Sequence, residues 1–178
     1  MKHYKVLHEG KYKRLVNKSG WEYTERIHCD GVVVILALKE DDHILLVEQF
    51  RIPVNANVIE FPAGLSGDNQ QSAGETLENA AKRELLEETG YHADHMNLIL
   101  QGPVSSASSS DIMSVFRASG LKKVSNGGGD ETEDIQVHEI ALNKVEHWLD
   151  QKAGSGCLID PKVYAGLYFL KKEPKEHV

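Results

Sequence analysis

The chain has 178 residues, 40% of them apolar and 26% charged, with a formal net charge of −7. That is enough chain for one domain with a real core, and the acidic balance excludes a general nucleic-acid or membrane-surface binder, which would present a basic patch. Two cysteines, Cys29 and Cys157, are too few for a disulfide framework, no apolar run approaches the ~18 residues of a membrane-crossing helix, and the start Met1-Lys-His-Tyr-Lys5 has no signal-like apolar segment, so a reducing cytoplasm is the expected location.

Residues 1–28 are locally basic (Lys2, Lys5, Lys11, Lys13, Arg14, Lys18, Arg26), and Trp21–Arg26 reads as extended after a turn at Lys18-Ser-Gly20. Gly31–Leu38 is a continuous β-branched apolar run, predicting a central strand buried on both faces. Asp41-Asp42 predicts a turn, with His43–Phe50 pairing back as a hairpin. Val58–Phe61 is a short strand ended by Pro62, and a helix follows over 76–89, closed by Gly90. Leu98–Gln101 and Ile112–Ala118 read as strands around the serine-rich loop Ser105–Ser110. A glycine turn, Asn126–Gly129, precedes the acidic run Asp130–Asp134 and a strand over Ile135–Leu142. Helices near 143–152 and 161–172 finish the chain, the second with Asp160 as N-cap and Pro161 at its first position. Strands, helix, strands, helices in this order suit an α/β fold, an α/β/α sandwich with a mixed β-sheet.

The 76–89 helix carries the chemistry. Glu84, Glu87 and Glu88 stand at i, i+3 and i+4 and so share one face. Like charges at these spacings each cost roughly 0.2–0.5 kcal/mol in an isolated helix. Hard divalent cations, which take oxygen ligands, account for the convergence, and Mg²⁺ bound by a few carboxylates plus substrate phosphates points to diphosphate chemistry.

The run Arg83-Glu-Leu-Leu-Glu-Glu-Thr-Gly-Tyr91, with Glu75 eight positions before Arg83, resembles the signature box of the Nudix hydrolases. The signature runs Gly, five residues, Glu, seven residues, Arg-Glu-apolar-x-Glu-Glu-x-Gly-apolar; here ten residues rather than five separate Gly64 from Glu75, a polar insertion suited to a surface loop. The resemblance implies the same sandwich fold. It also implies Glu84 and Glu88 as principal Mg²⁺ ligands (Mn²⁺ substituting), with Glu87 beside them and the Ala63 carbonyl completing the set. Arg83 is expected to orient a glutamate, a task suited to its planar fork. In the pyrophosphatases the chain most resembles, the general base lies on a later loop, here Gly127–Asp134. Glu131 is the candidate base and Glu133 an additional metal ligand, on a loop whose glycines give hinge freedom.

Outside the box, Trp21, Glu22 and Arg26 resemble a segment of ADP-ribose pyrophosphatases in which Trp stacks on the nucleobase, and Arg51 matches a second basic position reaching phosphates or ribose. Residues 1–30 are then N-terminal strands exchanged between the subunits of a homodimer, and 31–178 the hydrolase domain; extended amphipathic strands invite such pairing. The serine loop departs from the family's Ser-Pro-Gly pattern but keeps an acidic residue, Asp111, which leaves ADP-ribose and hexose-bearing nucleotide sugars both open as substrate. Two alternatives compete: hydrolysis of nucleoside triphosphates or dinucleoside polyphosphates, against which Trp21-Glu22 speaks, and a non-catalytic sensing module, against which the intact box glutamates speak.

Overall fold

The computed structural model describes residues 4–67, 74–129 and 134–172. Three antiparallel strands come first: β1 (Tyr4–Glu9), β2 (Lys13–Lys18) and β3 (Trp21–Arg26). Two four-stranded mixed sheets follow. One runs β7 (Ala63–Ser66), β4 (Gly31–Ala37), β9 (Ile112–Lys123), β8 (Tyr91–Pro103), with β4 and β9 parallel. The other runs β10 (Ile135–Ala141), β5 (His43–Arg51), β6 (Ala56–Glu60), β11 (Leu158–Ile159), with β11 parallel to β6.

Strand β4 is buried on both faces, as its unbroken apolar run predicts. Val33, Ile35 and Ala37 pack with Ala80, Ala81 and Leu85 of α1 (Leu77–Thr89). Val34 and Leu36 pack with Val145 and Leu149 of α2 (Val145–Gly154) and Val163, Leu167 and Leu170 of α3 (Pro161–Lys171). The helices therefore sit on opposite sides of the sheets, the layered arrangement expected from the element order. No helix among the described residues is long and apolar enough to cross a membrane, and neither Cys29 nor Cys157 forms a disulfide.

The structure departs from the predicted elements at several points, among them the following. The β4–β5 hairpin survives only at its turn, where Lys39 N–H donates to His43 O (2.8 Å) and Leu38 bridges Ile44. Both edges of β4 are taken by β7 and β9, so β5 pairs instead with β10 and β6. The strand before Pro62 ends as expected, at Glu60, but Pro62 also switches the chain between sheets, accepting from Ile35 N–H (2.8 Å), and an unforeseen strand, β7, starts one residue later. Strand β8 spans thirteen residues rather than four because buried Tyr91, Ala93 and Met96 are interleaved with His92, Asp94, His95 and Asn97, which mask its apolar period.

A single carboxylate ties the second sheet to α2. Glu48, 8% exposed on β5, accepts from Lys152 Nζ (2.6 Å) and Asn57 Nδ2 (2.9 Å). His138 Nε2 (2.9 Å) and Cys157 Sγ (3.5 Å) reach the same group. Burial alone would raise its pKa, but Lys152, Asn57, His138 and Cys157 together hold it down at about 2. Because the folded value lies below the ordinary 4.5, the stabilisation is complete above about pH 4.5 and fades as pH falls toward 2. Glu48→Gln should therefore cost about 3 kcal/mol at pH 7 and flatten the stability-versus-pH curve between those limits. Urea unfolding at a series of pH values checks this, and an unchanged acid limb in the variant would refute it.

Candidate active site

Helix α1 begins at Thr76, whose side chain accepts from Asn79 N–H (3.2 Å), and ends at Gly90, in the left-handed conformation with its N–H bonded to Leu86 O. Between these caps its polar face meets β7. Glu88, only 4% exposed, accepts from Ala63 N–H (3.1 Å), and Glu84 accepts from Leu65 N–H (3.3 Å). The backbone of Gly64 lies between. A Cβ there would stand 1.9 Å from Glu84 Cδ, so only glycine lets the carboxylate settle against the strand.

Arg83 organises the remaining charge. Its Nη1 donates to Glu84 Oε1 (2.8 Å) and Glu87 Oε2 (3.0 Å). Its Nη2 donates to Leu65 O (2.9 Å) and Glu75 Oε1 (2.8 Å), and Nε to Glu75 Oε2 (3.3 Å). A guanidinium has five N–H donors, and these five contacts use them all. Arg83 thus holds glutamates and has nothing left for a substrate. The acidic surroundings, the Glu75 hydrogen bonds foremost, raise its pKa further. Even so, burial pushes Glu84 up to about 7; Arg83 pulls it down and neighbouring Glu87 pushes it up. Buried Glu88 and partly buried Glu84 share one helix face with exposed Glu87, and they carry the oxygen donors that a hard cation such as Mg²⁺ or Mn²⁺ prefers; among the described residues no three acidic, histidine or cysteine side chains already close around one point.

Five of the predicted residues, Ala63, Arg83, Glu84, Glu87 and Glu88, are therefore brought together. Glu131 and Glu133 lie outside the described residues. Trp21, Glu22 and Arg26 sit on β3, away from α1 and against the serine loop. Thr24 N–H donates to Ser108 O (2.9 Å), Ser110 N–H to Thr24 O (3.0 Å), and the Trp21 indole N–H to Ala107 O (3.0 Å). Trp21 is nonetheless 61% exposed. Arg26 Nε pairs with Asp111 (3.1 Å), and Arg51 Nε with Glu60 (2.6 Å) at the end of β6. Arg26 and Asp111 line a small cleft with Asp30, Ser110 and the Gly31 backbone. The cleft adjoins β7, since Asp30 N–H donates to Ser66 O (2.8 Å) and Gly31 is in register with Ser66.

Sequence reasoning left three contributors without a role. Glu75 is the two-oxygen partner of Arg83, and its fixed place in the box spacing was the available signal. Leu65 acts through its backbone and Asp111 by steadying Arg26; no side-chain pattern marks either contact.

A family model described as NUDIX domain matches residues 28–155. Methanol dehydrogenase activator from Bacillus methanolicus is 29% identical over 148 residues, 83% of this chain and 75% of that protein. ADP-ribose pyrophosphatase from Bacillus subtilis is 35% identical over 119 residues, 66% of this chain and 62% of that protein. GDP-mannose pyrophosphatase from Yersinia enterocolitica is 32% identical over 152 residues, 80% of this chain and 76% of that protein. A crystal structure of an ADP compounds hydrolase shares the fold, with a TM-score of 0.71 at 19% identity over 94% of this chain and 89% of that one.

The Gly64 contact yields a direct check. Gly64→Ala must push the Glu84 carboxylate off the strand, costing on the order of 1–3 kcal/mol as other overpacked sites do and weakening Mg²⁺ binding. Calorimetric Mg²⁺ titration alongside urea unfolding reads both, and parent-like affinity in the variant would show that Glu84 is not a ligand.

Proposed function

The chain belongs to the Nudix family of hydrolases, and from that premise we propose that it hydrolyses the diphosphate bridge of ADP-ribose or a related nucleoside diphosphate sugar in a divalent-cation-dependent reaction. Water attacks one phosphorus, the bridging P–O bond breaks, and a nucleoside monophosphate and a sugar phosphate leave. The observation that carries this reading is the cradle of Glu84 and Glu88 against the β7 backbone, with Arg83 spending all five donors to hold it. Relatives named for pyrophosphatases of ADP-ribose and GDP-mannose support the substrate class.

Glu84, Glu88 and the Ala63 carbonyl, with Glu87 beside them, are the groups that would hold Mg²⁺, or Mn²⁺ in its place. The bound ion supplies charge for the diphosphate oxygens and acidifies water. Arg83 keeps the carboxylates aimed. Glu131 takes the proton of the attacking water, and Glu133 adds a further oxygen donor. Trp21 offers its exposed face to the base, with Glu22 accepting from an exocyclic amine. Arg26 and Arg51 serve the phosphates or ribose. Each is held by a carboxylate through Nε.

In this reading the active protein is a cytoplasmic homodimer, and residues 1–30 form the part that pairs with the second copy, ahead of a hydrolase domain over 31–178. Tyr4, Leu7 and Leu15 leave apolar surface exposed on that N-terminal sheet, which favours a partner there. The docking of β3 beside the Arg26–Asp111 cleft gives the N-terminal strands a part in substrate recognition, an addition that triphosphate hydrolysis does not call for.

Assaying products from ADP-ribose, hexose nucleotides and nucleoside triphosphates with Mg²⁺ tests the proposal, with monophosphate and sugar phosphate expected from the first two. Pyrophosphate release from triphosphates as the dominant activity would overturn it. Glu88→Gln should lower turnover at least ~100-fold, since a lost metal ligand removes several kcal/mol of transition-state stabilisation; near-normal rates at limiting Mg²⁺ would remove Glu88 from the ligand set. Trp21→Ala should raise KM and leave kcat largely intact, the mark of lost uniform binding. Steady-state kinetics decides this, and unaltered KM would end the stacking role.

A further inference from the structure

The glycine turn after β9 does more than reverse the chain. Its N–H groups lie along the last turn of α1. Val124 and Ser125 donate to Gly90 O (2.8 and 3.2 Å), Gly128 to Glu88 O (2.8 Å) and Gly129 to Glu87 O (3.1 Å). The carbonyls of Glu87 and Glu88 belong to the final four of the helix, which have no partner within it. The strap thus supplies the hydrogen bonds that the helix end lacks.

Two glycines permit this approach. A Cβ on Gly127 (φ +67°) would lie 2.4 Å from Thr89 C, 2.6 Å from Gly90 N and 2.7 Å from Glu88 O. A Cβ on Gly90 (φ +76°) would lie 2.2 Å from Ser125 O. Every obstructing atom is backbone, so none can swing aside as a side chain would. Gly128 differs: its φ is +111°, but its nearest neighbour, Ile135 O, is 3.9 Å away. Gly128 meets the helix through its amide alone, whereas at Gly127 the two backbones leave no room for a side chain.

We propose that the Asn126–Gly129 strap is a positioning element of the carboxylate site, with Gly127 its critical residue. The strap grips the backbone of the two residues, Glu87 and Glu88, whose side chains the proposed function gives to the cation, and the inference rests on that reading. Mg²⁺ demands near-ideal octahedral geometry. A last helical turn free to fray would therefore present Glu88 poorly, however intact its carboxylate. The coupling is reciprocal: if a docked strap strengthens cation binding, a bound cation must hold the strap down by the same factor.

The test compares Mn²⁺ affinity, read by electron paramagnetic resonance, in the parent, Gly127→Ala and Gly156→Ala. Gly156 also has a positive φ (+97°), but nothing lies within 4 Å of its Cβ position, so its variant carries backbone strain without the clash. Gly127→Ala should bind Mn²⁺ at least tenfold more weakly, and Gly156→Ala within twofold of the parent. In the parent, saturating Mg²⁺ should slow hydrogen exchange at the Gly128 and Gly129 amides, a measurement that decides the matter even if Gly127→Ala fails to fold. Parent-like Mn²⁺ affinity in Gly127→Ala, or exchange at those amides indifferent to Mg²⁺ in a parent that binds Mn²⁺, overturns the strap's role. A parent that binds no Mn²⁺ overturns the cation reading itself, and the strap's role with it.

Discussion

One guanidinium facing three carboxylates governs the arrangement around it. Arg83 fixes where α1 sits on β7, because its Nη2 reaches a backbone carbonyl of that strand while the rest of the fork holds Glu75, Glu84 and Glu87. Removing Arg83 would leave partly buried Glu75 and Glu84 uncompensated, which is costly where charges are held away from water. The same arrangement explains why Gly64 has no side chain and why the N-terminal approach to the helix is anchored through Glu75. The helix itself is positioned by Arg83 and its own caps. A long polar insertion ahead of Glu75 is compatible with an intact carboxylate face for that reason.

A second polar knot, around Glu48, does for the other sheet what Arg83 does for the first. There the charges are reversed: one carboxylate gathers Lys152, Asn57, His138 and Cys157 from three elements and a turn. The two knots lie on opposite helical layers. Between them runs β4, whose alternating side chains belong to both cores. Displacement of either layer is therefore felt by the strand that pairs with β7, and so by the backbone beneath Glu84 and Glu88.

Much of this was legible in the sequence where the signal is local. The α1 boundaries follow from Thr76 and Gly90, the two-faced burial of β4 from its unbroken β-branched run, and the start of α3 from Asp160 and Pro161. The carboxylate face follows from spacing alone. What escaped depends on partners distant in sequence. β5 could not be denied to β4 without knowing that β7 and β9 already take both edges. The role of Leu65 is carried by an amide and a carbonyl that every residue possesses. The ion pairs Arg26–Asp111 and Arg51–Glu60 join segments that no periodicity links. In the same way, the glycines near 127 read as a flexible turn, although two backbones meet there at close range.

The parallel pairing of β4 with β9 has a consequence for how the chain reaches its fold. Val32 lies opposite Met113, so the central pair closes only after the hairpin segments, α1 and β8 have been made. Non-local parallel pairing is slow, because the entropy of closing the intervening chain is lost before the contacts form. During synthesis the Gly31–Ala37 run, the most apolar strand of the protein, leaves the ribosome well before its partner exists. Until then one of its edges and the face that α2 and α3 will cover are unsatisfied. The residues most deeply buried in the finished hydrolase are thus the ones most exposed to aggregation while it is being made, and chaperone dependence should track this strand rather than the acidic helix.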